Sequence, residues 1–318
     1  MIKKIVIYFY KRIALLSPRI EVKLRQLYWN NVGRLGKFNP NKSEANIIPG
    51  EHVDFSYIVG WLKEQGVGEG SLLIVHSSYD GLRSTGLSPK EIIDELLNLV
   101  GESGTLAMPV IRTFKESPSP EERLRQGIVP PVCKYNIKRT PVSSGIIPAM
   151  MLRYQNAVTS KHPLNPLCAI GPLARDMMKH NIEGDSPSPH GANSCWKYCL
   201  DHNAFICGLG TDLRHHNTMG HVAEEAFGDW RWSDTEWFDI RKFIIESPDE
   251  DPIELSVKER KPKWGMLHQA ELNRYNDFLK AGVVKSKTFG DVLIETEDAN
   301  ELIDYLRSRN KNGYPYFE

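Results

Sequence analysis

Residues 71–109 carry the pattern that most narrows the folds open to this chain. Ser71–His76 (SLLIVH) is a short, mostly apolar run, and Thr105–Pro109 (TLAMP) is a second. Short apolar runs bounded by turn residues read as strands buried on both faces. Between them, Ser88 precedes Pro89, and Lys90–Val100 repeats its apolar residues at helical spacing. Serine is a strong N-cap, and proline is favoured at the first helical position. Gly101–Gly104 then turns the chain. A strand, a helix and a strand in this order imply a parallel βαβ unit.

The remaining segments extend the same plan. Phe55–Gln65 reads as a helix stopped by Gly66, and Gly145–Tyr154, Gly220–Phe227 and Asn300–Arg309 read as further helices. Val158–Ser160, Cys168–Ile170 and Asn203–Gly208 read as strands, and Trp230–Val257 as antiparallel strands. The expected class is α/β, a three-layer α/β/α arrangement around a central mixed, largely buried sheet, with a basic N-terminal helical extension.

The extension has its own character. Residues 1–43 contain Lys3, Lys4, Lys11, Arg12, Arg19, Lys23, Arg25, Arg34, Lys37 and Lys42 against Glu21 alone, a net charge of +9. The whole chain is neutral, so the rest carries −9. Apolar residues recur at helical spacing through Met1–Trp29, with Pro18 starting a second helix or kinking the first. The apolar run Ile5–Tyr10 is far shorter than the ~20 residues that span a bilayer. A basic amphipathic helix can lie on an anionic membrane, pack on the body, or pack on a second subunit, so peripheral membrane contact and a homodimer both stand as expectations. Asn39–Gly50 is rich in turn residues and reads as a linker, dividing residues 1–50 from a domain over 51–318.

The negative body suits a cationic or amine substrate, and equally serves solubility. No nucleic-acid partner is expected. Five scattered cysteines do not form a disulfide framework, which implies a reducing, cytoplasmic setting.

Four segments carry the chemistry. They are residues 72–109, residues 140–172 (TPVSSGIIPAMMLRYQNAVTSKHPLNPLCAIGP), residues 206–225 (ICGLGTDLRHHNTMGHVAEE), and the neighbourhood of Val257–Glu259. In this order they resemble the aminoglycoside 3-N-acetyltransferases and their wider relatives that acylate amines. The resemblance covers most of residues 55–310, and residues 1–50 have no counterpart in the compact members of that family.

The resemblance implies a role for each segment. Asn217-Thr218-Met219-Gly220-His221-Val222-Ala223-Glu224 matches an Asn-Thr-x-x-His-x-x-Glu run that supplies a catalytic imidazole, which makes His221 the expected general base. A neutral imidazole can accept the proton of an attacking amine. Asn217 and Thr218 would cap the helix, and Asn217 is also an expected substrate contact. Glu224 lies on the same helical face as His221, but the resemblance favours a glutamate in a later extended segment as the orienter, best matched by Glu259. Glu224 and Glu225 are then nearby acids, Glu225 a substrate contact.

His76, Ser77, Ser78, Arg83, Ser84, Thr85 and Gly86 follow the first strand, and with Ser143 they are the expected binding residues for acetyl-CoA or another acyl-CoA. Backbone N–H groups and hydroxyls at a loop before a helix can hold phosphate oxygens. His162-Pro163 matches a His-Pro-x-x-Ser landmark, with His162 a substrate contact, but Pro166 stands at the serine position and has neither hydroxyl nor N–H.

The expected activity is acyl transfer to a primary amine of an amino sugar. Pro166 and the basic extension favour a surface-polysaccharide sugar, with an aminoglycoside antibiotic as the alternative and a non-catalytic scaffold in a membrane-associated assembly as a reading of another class. The spacings of His202, His215, His216 and His221 with Cys195, Cys199 and Cys207 fit none of the usual zinc patterns, and no metal is expected. No G-x-S-x-G elbow marks a nucleophilic serine.

Overall fold

The apolar runs of the βαβ unit lie at the centre of the fold because both their faces need cover. In the computed structural model, described at residues 12–13, 17–31, 34, 50–214, 218–248, 250–265, 267–310 and 313–315, the elements include helix α1 (Pro18–Asn30) and α2 (Phe55–Glu64) ahead of the main sheet. Strand β1 (Leu72–Ser77), helix α3 (Pro89–Val100) and strand β2 (Thr105–Pro109) follow. Ser88 caps α3 in a reciprocal box with Glu91, with Pro89 in the first turn. The chain then forms α4 (Pro120–Gln126), β3 (Cys133–Asn136), α5 (Ile146–Met151), β4 (Val158–Thr159), β5 (Leu167–Ile170), α6 (Ala174–Met178), α7 (Cys195–Asp201) and β6 (Phe205–Leu209). It closes with α8 (Gly220–Glu225), α9 (Asp234–Trp237), β7 (Phe238–Ser247), β8 (Glu250–Arg260), α10 (Pro262–Gly265), α11 (His268–Ala281), the hairpin β9 (Lys285–Phe289) and β10 (Val292–Asp298), and α12 (Ala299–Arg309).

The main sheet has seven strands in the order β4-β5-β2-β1-β6-β10-β9. β1 pairs in parallel with β2 and with β6, and the outer pairs are antiparallel, so the sheet is mixed. Alternate residues build two cores. Leu72, Ile74 and Ile206 face one that includes residues of α7, α8, α11 and α12. Leu73, Val75 and Cys207 face another that includes residues of α2, α3 and α5. This is the expected three-layer arrangement.

β1 leads to β2 on one side and lies beside β6 on the other, so a crevice opens at the carboxyl ends of β1 and β6, where open α/β sheets place ligands. Two glycines shape its edge. A Cβ on Gly81 would stand 2.0 Å from the Gly210 carbonyl oxygen, and Gly210 itself has φ +70°. Only glycine allows the turn after β1 to meet the end of β6 this closely.

A second sheet, β3-β7-β8, packs its own core of Cys133, Tyr135, Phe243, Ile245 and Val257. Trp232, Trp237, Trp264, Leu267 and Ala270 form a further cluster, and Val22 of α1 packs against it. The described part of the extension is therefore held on the body. Arg19, Lys23 and Leu27 remain exposed on α1. No described helix is long and apolar enough to cross a membrane. All five cysteines are unpaired and buried.

Several elements differ from expectation. The loop after β1 contains a 3-10 helix at Asp80–Thr85, and α11 and the β9–β10 hairpin were not foreseen. α11 has only a weak apolar stripe, and the exposed Lys285, Ser286, Lys287 and Thr288 of β9 lack the apolar run of a central strand.

Candidate active site

His221 stands at the start of α8, whose Val222 and Ala223 are buried in the first core. That packing turns the imidazole toward the crevice. Its Nδ1 lies 2.8 Å from Oε2 of Glu224, one turn further along the helix. Nη1 of Arg260 lies 3.0 Å from the same nitrogen, and the guanidinium is 3.8 Å from Glu224. A carboxylate only accepts and a guanidinium only donates, so Nδ1 cannot hydrogen-bond both. The shorter contact makes Nδ1–H the donor to Glu224 and leaves Nε2 with its lone pair.

Burial, chiefly, and then the Arg260 charge push His221 down to about 4, against the opposing pull of Glu224. Burial pushes Glu224 up, but His221, Arg260 and Arg274 outweigh it and hold its carboxyl below the usual value. Near pH 7 the imidazole is neutral and the carboxylate ionised, as a general base and its orienter require.

His221 lines a chamber of about 380 Å³ with His76, Ser77, Ser143, Ser144, Asn165, Thr218, Arg260, Glu271 and Arg274. A wider chamber of about 890 Å³ adjoins it, sharing Ile111, Ser143, Asn165, Arg260 and Gly265. Ser77 lines the first chamber, and its Oγ is buried with no hydrogen-bond partner among the described residues. His76 stacks on Trp196, their centroids 6.2 Å apart.

Beside His221 stands His190, with ring centroids 5.1 Å apart. Asn165 Nδ2 donates to its Nε2 at 3.1 Å, and its Nδ1 lies 3.1 Å from Glu225 Oε2, which fixes the proton on Nδ1. Ser188 also donates to that carboxylate oxygen. Although burial opposes it, the His190 contact holds Glu225 down at about 2. Glu225 lines the wider chamber but is engaged by these neighbours.

Glu259 does not reach His221. Its carboxylate lies 2.5 Å from Arg123 Nη1 and 2.8 Å from Arg241 Nη1. The physical reason is strand alternation: on β8, Glu259 shares a face with Val257, and the next residue, Arg260, points the other way. Glu224 occupies the place expected of Glu259.

His76, Ser77 and Ser143 line the first chamber, but the rest of the expected coenzyme loop does not. Arg83 pairs with Asp80 at the surface, Ser84 Oγ donates to Asp291 at 2.7 Å, and Thr85 Oγ1 donates to the Leu82 carbonyl. Ser78 Oγ accepts from Gly81 N, and Gly86 closes the 3-10 turn in a left-handed conformation. The turn consumes these groups internally, which an open phosphate loop would not do.

His162 is also away from both chambers. It is buried, with Nε2 donating to the Pro187 carbonyl at 3.3 Å and Nδ1 accepting from Leu164 N at 3.2 Å. Burial pushes it down to about 4. It holds the irregular turn that presents Asn165. Pro166 accepts a bond from Val110 N through its carbonyl. α8 starts after Met219 without a side-chain cap, so Thr218 lines the chamber instead of capping, and Asn217 lies outside the described residues, as do His215 and His216. Among the described residues, no group of three or more His, Cys, Asp or Glu is placed to hold a metal ion.

Sequence reasoning missed His190, Arg260 and Arg274. The left-handed Asn165 and the proline-rich SPSPH run before His190 hint at a constrained turn, but nothing local places either residue beside His221.

The sequence profile of the aminoglycoside 3-N-acetyltransferase family matches residues 74–310. Among curated relatives, aminoglycoside N(3)-acetyltransferase IX of Micromonospora chalcea is 25% identical over 177 residues, covering 54% of this chain and 60% of that protein. Aminoglycoside N(3)-acetyltransferase IV of a Salmonella species is 27% identical over 169 residues, covering 52% of this chain and 57% of the relative. The chain thus matches less than two thirds of the length of these relatives. In structure, aminoglycoside acetyltransferase AAC(3)-Xa aligns with a TM-score of 0.66 at 19% identity, over 84% of this chain and 94% of that one. The complex of AAC-IIIb with CoASH aligns with a TM-score of 0.65 at 16% identity, over 83% and 98%. These structures share the fold, and with the profile match over most of its length the chain belongs to the aminoglycoside 3-N-acetyltransferase family.

Proposed function

We propose that this protein transfers an acetyl group from acetyl-CoA to a primary amine of an amino sugar. The observation that carries the reading is the His221–Glu224 contact of 2.8 Å inside a chamber at the carboxyl ends of the central strands. Nε2 of His221 takes a proton as the amine nitrogen forms its bond to the thioester carbonyl carbon. Glu224 holds Nδ1–H and stabilises the imidazolium, as the acid of a triad does. The C–S bond then breaks, and the proton passes to the departing thiolate. Ser77 Oγ, buried and without a partner among the described residues, is a donor available to the carbonyl oxygen as it gains charge. The kinship with a complex that holds CoASH supports the donor.

The names of the relatives support an aminoglycoside as acceptor. The second reading, an amino sugar of a surface polysaccharide, draws on Pro166 in place of a hydroxyl-bearing residue and on the guanidiniums beside His221.

The test is thiol release from acetyl-CoA with kanamycin-type antibiotics and nucleotide-linked amino sugars, together with coenzyme A binding by calorimetry. Release with at least one acceptor is expected. No release with any of them, and no binding of coenzyme A, overturns the reading.

A further inference from the structure

The chamber around His221 contains a cation that the proposed reaction does not use. Arg274 of α11 is 4% exposed and lines this chamber. It makes no hydrogen bond and no ion pair with any described residue, Glu271 on the same wall included; its charge acts on Glu224. A buried guanidinium without a hydrogen-bonded counter-charge is costly, and the cost is recovered when an oxyanion binds. Arg260 presents a second guanidinium in the same space.

The adjoining walls do not supply the missing anion. Arg112, Arg123 and Arg241 are buried along the wider chamber. Arg123 and Arg241 share the single carboxylate of Glu259, Arg123 reaching Asp239 only at 3.6 Å. Arg112 is held by the carbonyls of Thr140 and Ile137 and pairs with no carboxylate among the described residues. Glu225 is engaged by His190 and Ser188, and Glu224 by His221. Glu121 and Glu122 belong to the outer turn of α4, where Glu122 caps its own helix. The two chambers also carry the carboxylates of Glu121, Glu122, Glu225, Glu259 and Glu271, but none of them pairs with Arg274 among the described residues.

We infer that the acyl acceptor carries an oxyanion, a phosphate or a carboxylate, which Arg274 and Arg260 hold beside His221. The inference rests on the acyl-transfer reading and narrows its acceptor. The phosphates of coenzyme A do not answer the need. The transferred carbonyl must lie within reach of the amine that His221 deprotonates, and a whole pantetheine arm separates that carbonyl from the phosphates. An anion in this chamber therefore belongs to the acceptor. A guanidinium binds phosphate or carboxylate through two parallel N–H···O bonds, which orients the acceptor amine as well as attracting it. They repel the polycation of an unmodified aminoglycoside.

The full chain is assayed for thiol release with glucosamine, glucosamine 1-phosphate, a nucleoside-diphosphate amino sugar, an aminouronic acid and kanamycin. An anionic group raises kcat/KM over glucosamine by about 10- to 100-fold, the range of charge-assisted bonds. The phosphate and uronic arms identify which oxyanion is read. Arg274→Gln brings the ratio close to one, and Arg274→Lys, which keeps the charge and loses the fork, gives an intermediate ratio. If kanamycin or glucosamine matches the anionic acceptors, the inference falls and acyl transfer stands.

A second measurement needs no turnover. Inorganic pyrophosphate, titrated by calorimetry into the wild-type protein saturated with coenzyme A, is expected to bind, and binding is lost in Arg274→Gln. Pyrophosphate that binds the protein free of coenzyme A but not the saturated protein assigns the anion to the donor and overturns the inference. Binding that persists while no acceptor releases thiol keeps the anion site and removes the acyl-transfer reading instead.

Discussion

Oε2 of Glu224 lies 2.8 Å from Nδ1 of His221, three residues away on the short helix α8, and this contact defines which imidazole nitrogen faces the chamber. His221→Ala is expected to lower kcat/KM by about 10²- to 10⁴-fold, the usual contribution of a positioned base. Glu224→Gln keeps the shape and loses the charge on the bond, which is worth about 1.5–3 kcal/mol, or about 10- to 150-fold in rate. Steady-state thiol release with coenzyme A binding measured alongside separates lost catalysis from lost affinity. Equal activity in Glu224→Gln would remove Glu224 from the orienting role.

The pH profile offers an independent reading. Burial and Arg260 hold His221 at about 4, so the acid limb of kcat/KM due to this base is expected near pH 4 rather than near its ordinary 6.5. Arg260→Gln removes a positive charge that disfavours the imidazolium, so the limb moves up in pH. A limb that stays put or moves down contradicts the assignment.

Stability follows the same groups with a definite sign. His221 and His162 are buried with values near 4, below the ordinary 6.5, so the unfolded chain binds more protons than the folded one between these values. Folding stability is fully present above about pH 6.5 and falls as the pH drops toward 4. Urea midpoints measured across pH 4–7 are expected to rise with pH.

Glu259 is expected to matter to the fold more than to the base. Glu259→Gln leaves the buried Arg123 and Arg241 with Asp239 as their remaining carboxylate, 3.6 Å from Arg123. Breaking a buried pair of this kind costs about 3–5 kcal/mol. A thermal midpoint equal to that of the parent would contradict this account.

Ser77→Ala separates the site from the scaffold. The hydroxyl is buried without a partner among the described residues, so its removal costs the fold less than about 1 kcal/mol. If the hydroxyl donates to the thioester oxygen, kcat falls by about 10²-fold or more while the thermal midpoint holds. An unchanged kcat excludes that donor.

The sequence by itself determined what depends on near neighbours. The serine cap and Pro89 set α3, the apolar runs set β1 and β2, and the helix carrying His221 was readable with Glu224 one turn away. These signals act over a strand repeat or one helical turn. Tertiary structure decided the rest. Glu259 and Arg260 are consecutive, yet the pleat sends one to Arg123 and Arg241 and the other to His221. Which of the two faces the base depends on how β8 packs over the site. Arg274 reaches the first chamber from a weakly patterned helix, and His190 reaches the wider one from a proline-rich loop. Their approach to His221 is a product of long-range packing, and no local periodicity encodes it. The family chemistry of His221 was legible in the chain; that Arg260 and Arg274 share its chamber appeared only when separate segments were brought together.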